Sequence, residues 1–262
     1  MPTRPHSDGS AGDVDYEPLA GGYASYRRPD PRIERAIAEA LAGSRTVLNV
    51  GAGAGSYEPL DREVTAVEPS ASMRAQRPAE RPAIDATAES LPFDDDTFDA
   101  SMATFSVHQW SDVEAGLREM RRVTRGPVAI LTGDPATIEQ FWLTDYAPEV
   151  MATEASRYPA IDRIAGALGG DVDVVVVPIP FDCIDGFNQA YYGRPELLLD
   201  AGARAANSAW TFVGPDVEAR FVRKLTADLD SGAWDEKYGQ LREQREFDGA
   251  LRLVVARPAS RA

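Results

Sequence analysis

The chain of 262 residues contains one cysteine, Cys183, and two histidines, His6 and His108. A single thiol excludes an internal disulfide and any cysteine-based zinc cluster. Two histidines, one of them in an N-terminal stretch rich in Pro, Ser, Gly and Asp, exclude a multi-histidine centre, and no metal is expected. Positive charge is also scarce: 27 Lys and Arg face 42 Asp and Glu, a net charge of −15, and Lys224 and Lys237 are the only lysines. A nucleic-acid partner needs a cationic footprint to displace counterions, and an anionic membrane surface needs the same, so both are disfavoured. No apolar run approaches the roughly 18 residues of a membrane span, and the opening MPTRPHSDGSAGDVD lacks the apolar stretch of a signal peptide. A cytoplasmic protein, monomeric or homodimeric, is the expectation. Neither a GxSxG elbow nor a P-loop occurs.

Residues 1–14 are expected to be a disordered tail, followed by a single domain over 15–262. PRIERAIAEALAG reads as a helix closed by Gly43. TVLNV (46–50) is a short apolar run entering a glycine loop, VTAVEP (64–69) a second strand, 83–85 a short third, TFDASMATF (97–105) a fourth and GPVAILT (126–132) a fifth. Ser111–Val123 is an amphipathic helix with Val113, Leu117, Met120 and Val123 on one stripe. DVDVVVVPIP (171–180) is expected as a sixth strand and GALRLVVARP (249–258) as the last. Strands alternating with helices at this spacing predict an α/β fold with a mainly parallel sheet. The aromatic-rich stretches around 134–160 and 183–245 break that rhythm and are expected to form a helical cap.

Gly51, Gly53 and Gly55 form G-A-G-A-G directly after the first strand. Glycines there let the backbone turn tightly and approach a ligand with no Cβ in the way. The dinucleotide fingerprint G-x-G-x-x-G would place its third glycine at position 56, where Ser56 stands. Only a short segment separates the loop from the second strand, so the helix N-terminus that holds a pyrophosphate is stunted. Glu68 ends the second strand, where a carboxylate can accept both ribose hydroxyls. Strand, glycine loop, strand and terminal acid together point to an adenosine ligand without phosphates. An NAD(P)-dependent oxidoreductase is the alternative with the same layout.

TVLNVGAGAG, AVEPSASM, ATAESLPFDDDTFD, FSVHQWSD and LREMRRVTRGPVAIL occur in this order. The chain thereby resembles the class I S-adenosylmethionine-dependent methyltransferases of the small-molecule type-11 group, which includes ubiquinone-biosynthesis enzymes; the resemblance spans about residues 15–133. It implies a Rossmann-like sheet of seven strands, mostly parallel with the last antiparallel, and helices on both faces. It implies S-adenosyl-L-methionine as cofactor, S-adenosyl-L-homocysteine as product and a small-molecule acceptor. Residue by residue, it assigns Gly51, Ala52, Gly53 and Gly55 to the methionine and ribose portion, Glu68 to the ribose, and Pro69 and Met73 to the adenine side. Thr87 and Ala88 would edge the adenine, with Thr104 and Phe105 under the methionine ammonium. Two positions depart from the family: Asn49 and Thr87 stand where aspartates are common. Asp85, two residues from Thr87 and thus on the same face of a strand, is a candidate substitute.

Methyl transfer from a sulfonium needs chiefly proximity and orientation, and a base only when the nucleophile arrives protonated. His108, just past the fourth strand, is the candidate base, with Trp110 beside it. Tyr16, Tyr23 and Tyr26 are candidates for a lid over the sulfonium, and Arg27 for the cofactor carboxylate; the competing reading is an amphipathic helix packed on the core. Trp142, Asp145, Tyr146, Tyr191 and Tyr192 are candidates for the acceptor pocket, Asp145 being placed to orient an amine or hydroxyl. Cys183 reads as a buried small residue. A SAM-fold protein without methyl transfer remains an alternative.

Overall fold

The computed structural model describes residues 23–259; Tyr16 and His6 lie outside the described residues, as does the side chain of Tyr23. Nine strands occur among these residues: β1 Thr46–Val50, β2 Glu63–Val67, β3 Ala83–Ile84, β4 Ala100–Thr104, β5 Val128–Gly133, β6 Asp171–Val176, β7 Ile179–Pro180, β8 Glu246–Phe247 and β9 Leu251–Arg257. Seven of them form one sheet in the order β3-β2-β1-β4-β5-β9-β6, and β7 pairs with β8 separately. The pairs from β3 to β5 are parallel, and β9 runs antiparallel between β5 and β6. This is the Rossmann-like α/β arrangement expected, with its antiparallel last strand. The anticipated sixth strand is divided, because Pro178 lacks the N–H that a continuing ladder requires.

Strand alternation assigns neighbouring residues to opposite faces of the sheet. Val47, Met102, Ala129, Leu131 and Val255 enter one apolar cluster; Leu48, Ala103, Val128, Ile130 and Val254 enter the other. The helix Pro31–Ala40 covers the first face with Ile33 and Ile37, and begins with Pro31 at its first turn and Asp30 as a cap accepting from Arg32 N (3.0 Å). The helix Val113–Arg122 covers the second with Val113, Leu117 and Met120, capped by Asp112 accepting from Ala115 N (3.0 Å). Ile161–Leu168 joins it there through Ile164 and Leu168.

The aromatic stretches extend the first cluster: Phe141, Trp142, Tyr146, Tyr191, Tyr192, Trp210, Phe221 and Trp234 are buried in it with Leu131 and Leu251. One continuous core therefore runs from the sheet into the helices of 134–160 and 183–245. At the other extreme, β6 forms one of the sheet's two edges, opposite β3, with Val174, Val175 and Val176 exposed.

Candidate active site

A cleft of about 960 Å3, open solvent included, lies at the C-terminal ends of β1, β2 and β4. Ligands bind parallel α/β sheets at this place, where the chain reverses direction across the sheet. The glycine loop forms its floor. Gly51 (φ +66°) and Gly53 (φ +50°) occupy the left-handed region, and a Cβ on Gly51 would stand 2.7 Å from Ser106 Cβ. Only glycine fits between this turn and Ser106, and the loop's backbone lines the cleft.

Glu68 is 7% exposed and lines the cleft. Its Oε2 accepts from Gly53 N (2.7 Å) and its Oε1 from Ser70 N (2.8 Å), so one carboxylate ties the loop after β1 to the turn after β2. Carboxylate oxygens offer about four lone-pair sites, which leaves about two for a ligand. Burial raises the Glu68 pKa above its usual value, opposed by those two backbone donors and by Arg74 and Arg77. Beneath the loop, Arg77 Nη2 donates to both carboxylate oxygens of Glu58 in a buried ion pair (2.8 and 2.9 Å), and Asn49 Nδ2 donates to Glu58 Oε1 (3.0 Å). Asn49, where the family often has aspartate, supplies a donor to an acid already present.

Across the cleft, Asp185 accepts from Arg27 Nε (2.6 Å) on one oxygen and from the Tyr57 hydroxyl (2.8 Å) on the other. The Arg27 guanidinium lies 5.1 Å from the Phe105 ring centroid. Tyr57 (φ +63°) and Phe105 (φ +50°) hold left-handed backbone despite their side chains, strain that packing around the cleft has to sustain.

Arg27, Gly51, Ala52, Gly53, Glu68 and Pro69 all line this cleft, together with Met73, Ala88, Thr104, Phe105 and Trp110. Three expected cofactor residues do not. Gly55 closes the loop through its N–H to Ala52 O (2.9 Å); Thr87 O accepts from Ser90 N (3.2 Å) in a turn; and the Tyr26 hydroxyl donates to Asp200 (3.0 Å). Asp85 pairs with Arg74 (3.2 Å) rather than replacing an acid at Thr87.

A second cleft of about 530 Å3 adjoins the first, with Arg27 and Phe105 in the wall of both. His108 lines it, its ring 4.4 Å from that of Tyr158, and Glu154, Arg157, Phe187 and Asn207 complete much of the lining. The expected acceptor residues lie elsewhere. Trp142 packs edge-on against Trp234 (5.6 Å), the Tyr146 hydroxyl donates to Asp228 (2.9 Å), and Tyr192 stacks on Phe247 (5.0 Å) and donates to Gln244 O (2.8 Å). Tyr191 is buried in the core, 6% exposed. Asp145 is held by Lys237 and the Tyr238 hydroxyl, contacts that lower its pKa, and lines neither cleft. These residues have the composition of a pocket, but their aromatic faces are spent on one another. Cys183 is buried, and burial pushes its thiol up to about 12.

Tyr57, Asp185, Glu154 and Asn207 went unread in the sequence. Glu154 had a signal: it follows Val150 by four residues and Met151 by three, placing a carboxyl on the buried stripe of Pro148–Arg157. Asp185 had none, since its partners Arg27 and Tyr57 are far away in the chain.

Residues 48–130 match a family model described as a methyltransferase domain. A solved structure from Anabaena variabilis, named as a candidate methyltransferase from an antibiotic biosynthesis pathway, is 31% identical, with 88% of this chain and 99% of that chain covered and a TM-score of 0.83. The Bacillus subtilis protein YcgJ, an uncharacterized methyltransferase, is 36% identical over 91 residues, 30% of this chain; the match spans 36% of that relative's length. The [4+2]-cyclase SpnF shares the fold at 18% identity and a TM-score of 0.52, with 94% of each chain covered.

Proposed function

The chain belongs to the class I S-adenosylmethionine-dependent methyltransferases, and from that premise we propose that it methylates a small organic acceptor held in the second cleft beside S-adenosylmethionine in the first. Two adjoining clefts that share Arg27 and Phe105 carry this reading.

The first cleft fits the cofactor. The Gly51 loop lines it with backbone, where a Cβ would collide with Ser106, and Glu68 keeps lone pairs for a ribose diol. Glu68 would hold the ribose, Met73, Pro69 and Ala88 the adenine, and Gly51, Gly53 and Thr104 the amino-acid end, with Arg27 toward its carboxylate. The bound cofactor supplies a methyl group already activated on a sulfonium. The chain contributes orientation and exclusion of water, and His108 takes a proton when the acceptor arrives protonated.

Residues 134–160 and 183–245 serve in this reading as inserted cap segments, because Glu154, Arg157 and Asn207 wall the second cleft from them. The net charge of −15 supports a small acceptor over nucleic acid. Among the described residues no helix is long and apolar enough to cross a membrane, and a cytoplasmic setting belongs to the same reading.

Calorimetric titration with S-adenosylmethionine, S-adenosylhomocysteine and NADH tests it. Micromolar binding of the first two is expected; binding of NADH alone would overturn it.

A further inference from the structure

The second cleft contains a part-buried carboxyl group, Glu154, which shares its lining with the guanidinium groups of Arg27 and Arg157 but is not ion-paired with either. Glu154 Oε2 accepts one hydrogen bond, from Asn188 Nδ2 (2.6 Å), and Glu154 makes no ion pair among the described residues. Asn188, 1% exposed, is itself oriented by Trp210, whose Nε1 donates to its Oδ1 (3.1 Å). This buried relay holds the carboxyl from behind and leaves Oε1 for the cleft.

A second polar group repeats the pattern. Asn207 is 6% exposed, and its Nδ2 is committed to Gly186 O and Ala203 O (both 2.9 Å). Its Oδ1 accepts no bond among the described residues, although the residue lines the same cleft. Two acceptor oxygens in one cleft, neither engaged by a donor among the described residues, offer a place for a donor brought by a ligand.

The cations nearby are engaged in other ways. Arg27 pairs with Asp185, and Arg157 donates to Ser208 Oγ (2.8 Å) with its guanidinium 4.7 Å from the centre of the Phe212 ring. Phe105 and Phe187, 5.5 Å apart, add an aromatic wall suited to an apolar body and to a cation's charge.

We propose that the second cleft takes a primary or secondary amine on an apolar or aromatic body, its N–H groups donating to Glu154 Oε1 and Asn207 Oδ1. The proposal rests on the methyltransferase reading and makes nitrogen the atom methylated. The nitrogen lone pair forms the new N–C bond, and the electrons of the broken C–S bond remain on sulfur. One proton leaves the nitrogen per methyl gained, and for such an amine Glu154 Oε1, in place of His108, receives it. Burial raises the Glu154 pKa against the pull of Asn188, Arg157 and Arg27, which suits a group that must take up a proton. His108 and Tyr158 are the other titratable groups of the cleft.

Benzylamine, benzyl alcohol and benzoate, which share a body and differ in the polar end, provide the test. Each is titrated into wild type and Glu154→Gln, with and without S-adenosylhomocysteine. Glutamine keeps an oxygen for Asn188 and turns an N–H2 toward the cleft. Benzylamine is expected to bind wild type more tightly than the other two, and to lose at least tenfold in the variant while S-adenosylhomocysteine affinity is unchanged. Tighter binding of benzoate than of benzylamine to wild type would overturn the proposal, and that comparison needs no variant to fold. So would equal benzylamine affinity in both proteins, or no benzylamine binding at about 10 mM. Failure of wild type to bind S-adenosylhomocysteine would instead sink the methyltransferase reading, while the titrations without it still decide which ligand class the cleft prefers.

Discussion

Asn49 Nδ2 donates to Glu58 Oε1 at 3.0 Å, below a glycine loop whose carbonyls at Ala52 and Gly53 are reached by Arg77 (3.5 and 3.2 Å). Asn49 is fully buried and Glu58 5% exposed. The amide thus completes a site in which Glu58 already carries the negative charge opposite Arg77. Asn49→Asp, which restores the commoner family residue, would set two carboxylates against each other and remove a donor. A loss of about 2 kcal/mol in unfolding free energy is expected by denaturant titration. Unchanged or increased stability would show that the loop does not depend on this donor.

Glu68 predicts a pH dependence. Its pKa is raised above the usual 4.5 by burial, and a ribose diol is held best by the ionised form. Acidification therefore protonates Glu68 earlier than an ordinary carboxylate, and S-adenosylhomocysteine affinity should fall as pH drops toward a midpoint above 4.5. Glu68→Gln should bind about tenfold more weakly near neutrality and lose that slope, measured by calorimetry across pH. An unaltered slope in the variant would remove Glu68 from the ribose role.

Gly51→Ala should be costly out of proportion to one methyl group. The residue sits at φ +66°, and the added Cβ would crowd Ser106, whose Oγ donates to Val50 O (3.1 Å), and Trp110 Nε1 (3.3 Å). A destabilisation of about 2 kcal/mol is expected from thermal melts, with S-adenosylhomocysteine binding weakened as Ser106 is displaced.

His108 and Asp145 should separate cleanly. His108→Ala is expected to reduce turnover with an active acceptor while leaving S-adenosylhomocysteine affinity within about twofold, because the ring lines the second cleft and not the first. Asp145→Asn should leave both unchanged. Its ion pair with Lys237 is largely solvated, so the stability loss should stay under about 1 kcal/mol.

The cofactor side was legible because its chemistry is local in the chain. Gly51, Gly53 and Glu68 belong to two adjacent strands and their turns, so the β-strand pattern alone brings them together. The proposed acceptor side draws on Phe105, Glu154, Phe187 and Asn207, on segments far apart in the chain. Trp142, Tyr146 and Tyr192 line neither cleft, and rings that wall a pocket and rings that fill a core read alike in composition. Burial decided the second outcome, with Trp234 and Phe247 as their partners. Glu154 lay within reach of sequence reasoning as an acid on an apolar stripe, and its significance rests on Asn188 and Asn207 beside it.

The insertion of β9 between β5 and β6 sets the order in which this protein can assemble. β6 has no neighbour in the sheet except β9, and β5 needs β9 to satisfy its second edge. The parallel half, β3 to β5, can pair from contiguous sequence, whereas closing the other half awaits a segment that lies beyond residues 183–245 in the chain. Loop closure over that distance is slow, and until it happens both edges of β6 and the open edge of β5 are exposed to other chains. Misassembly during refolding should therefore be a matter of time and concentration, relieved by dilution, even though the finished sheet leaves only its two edge strands, β3 and β6, uncovered.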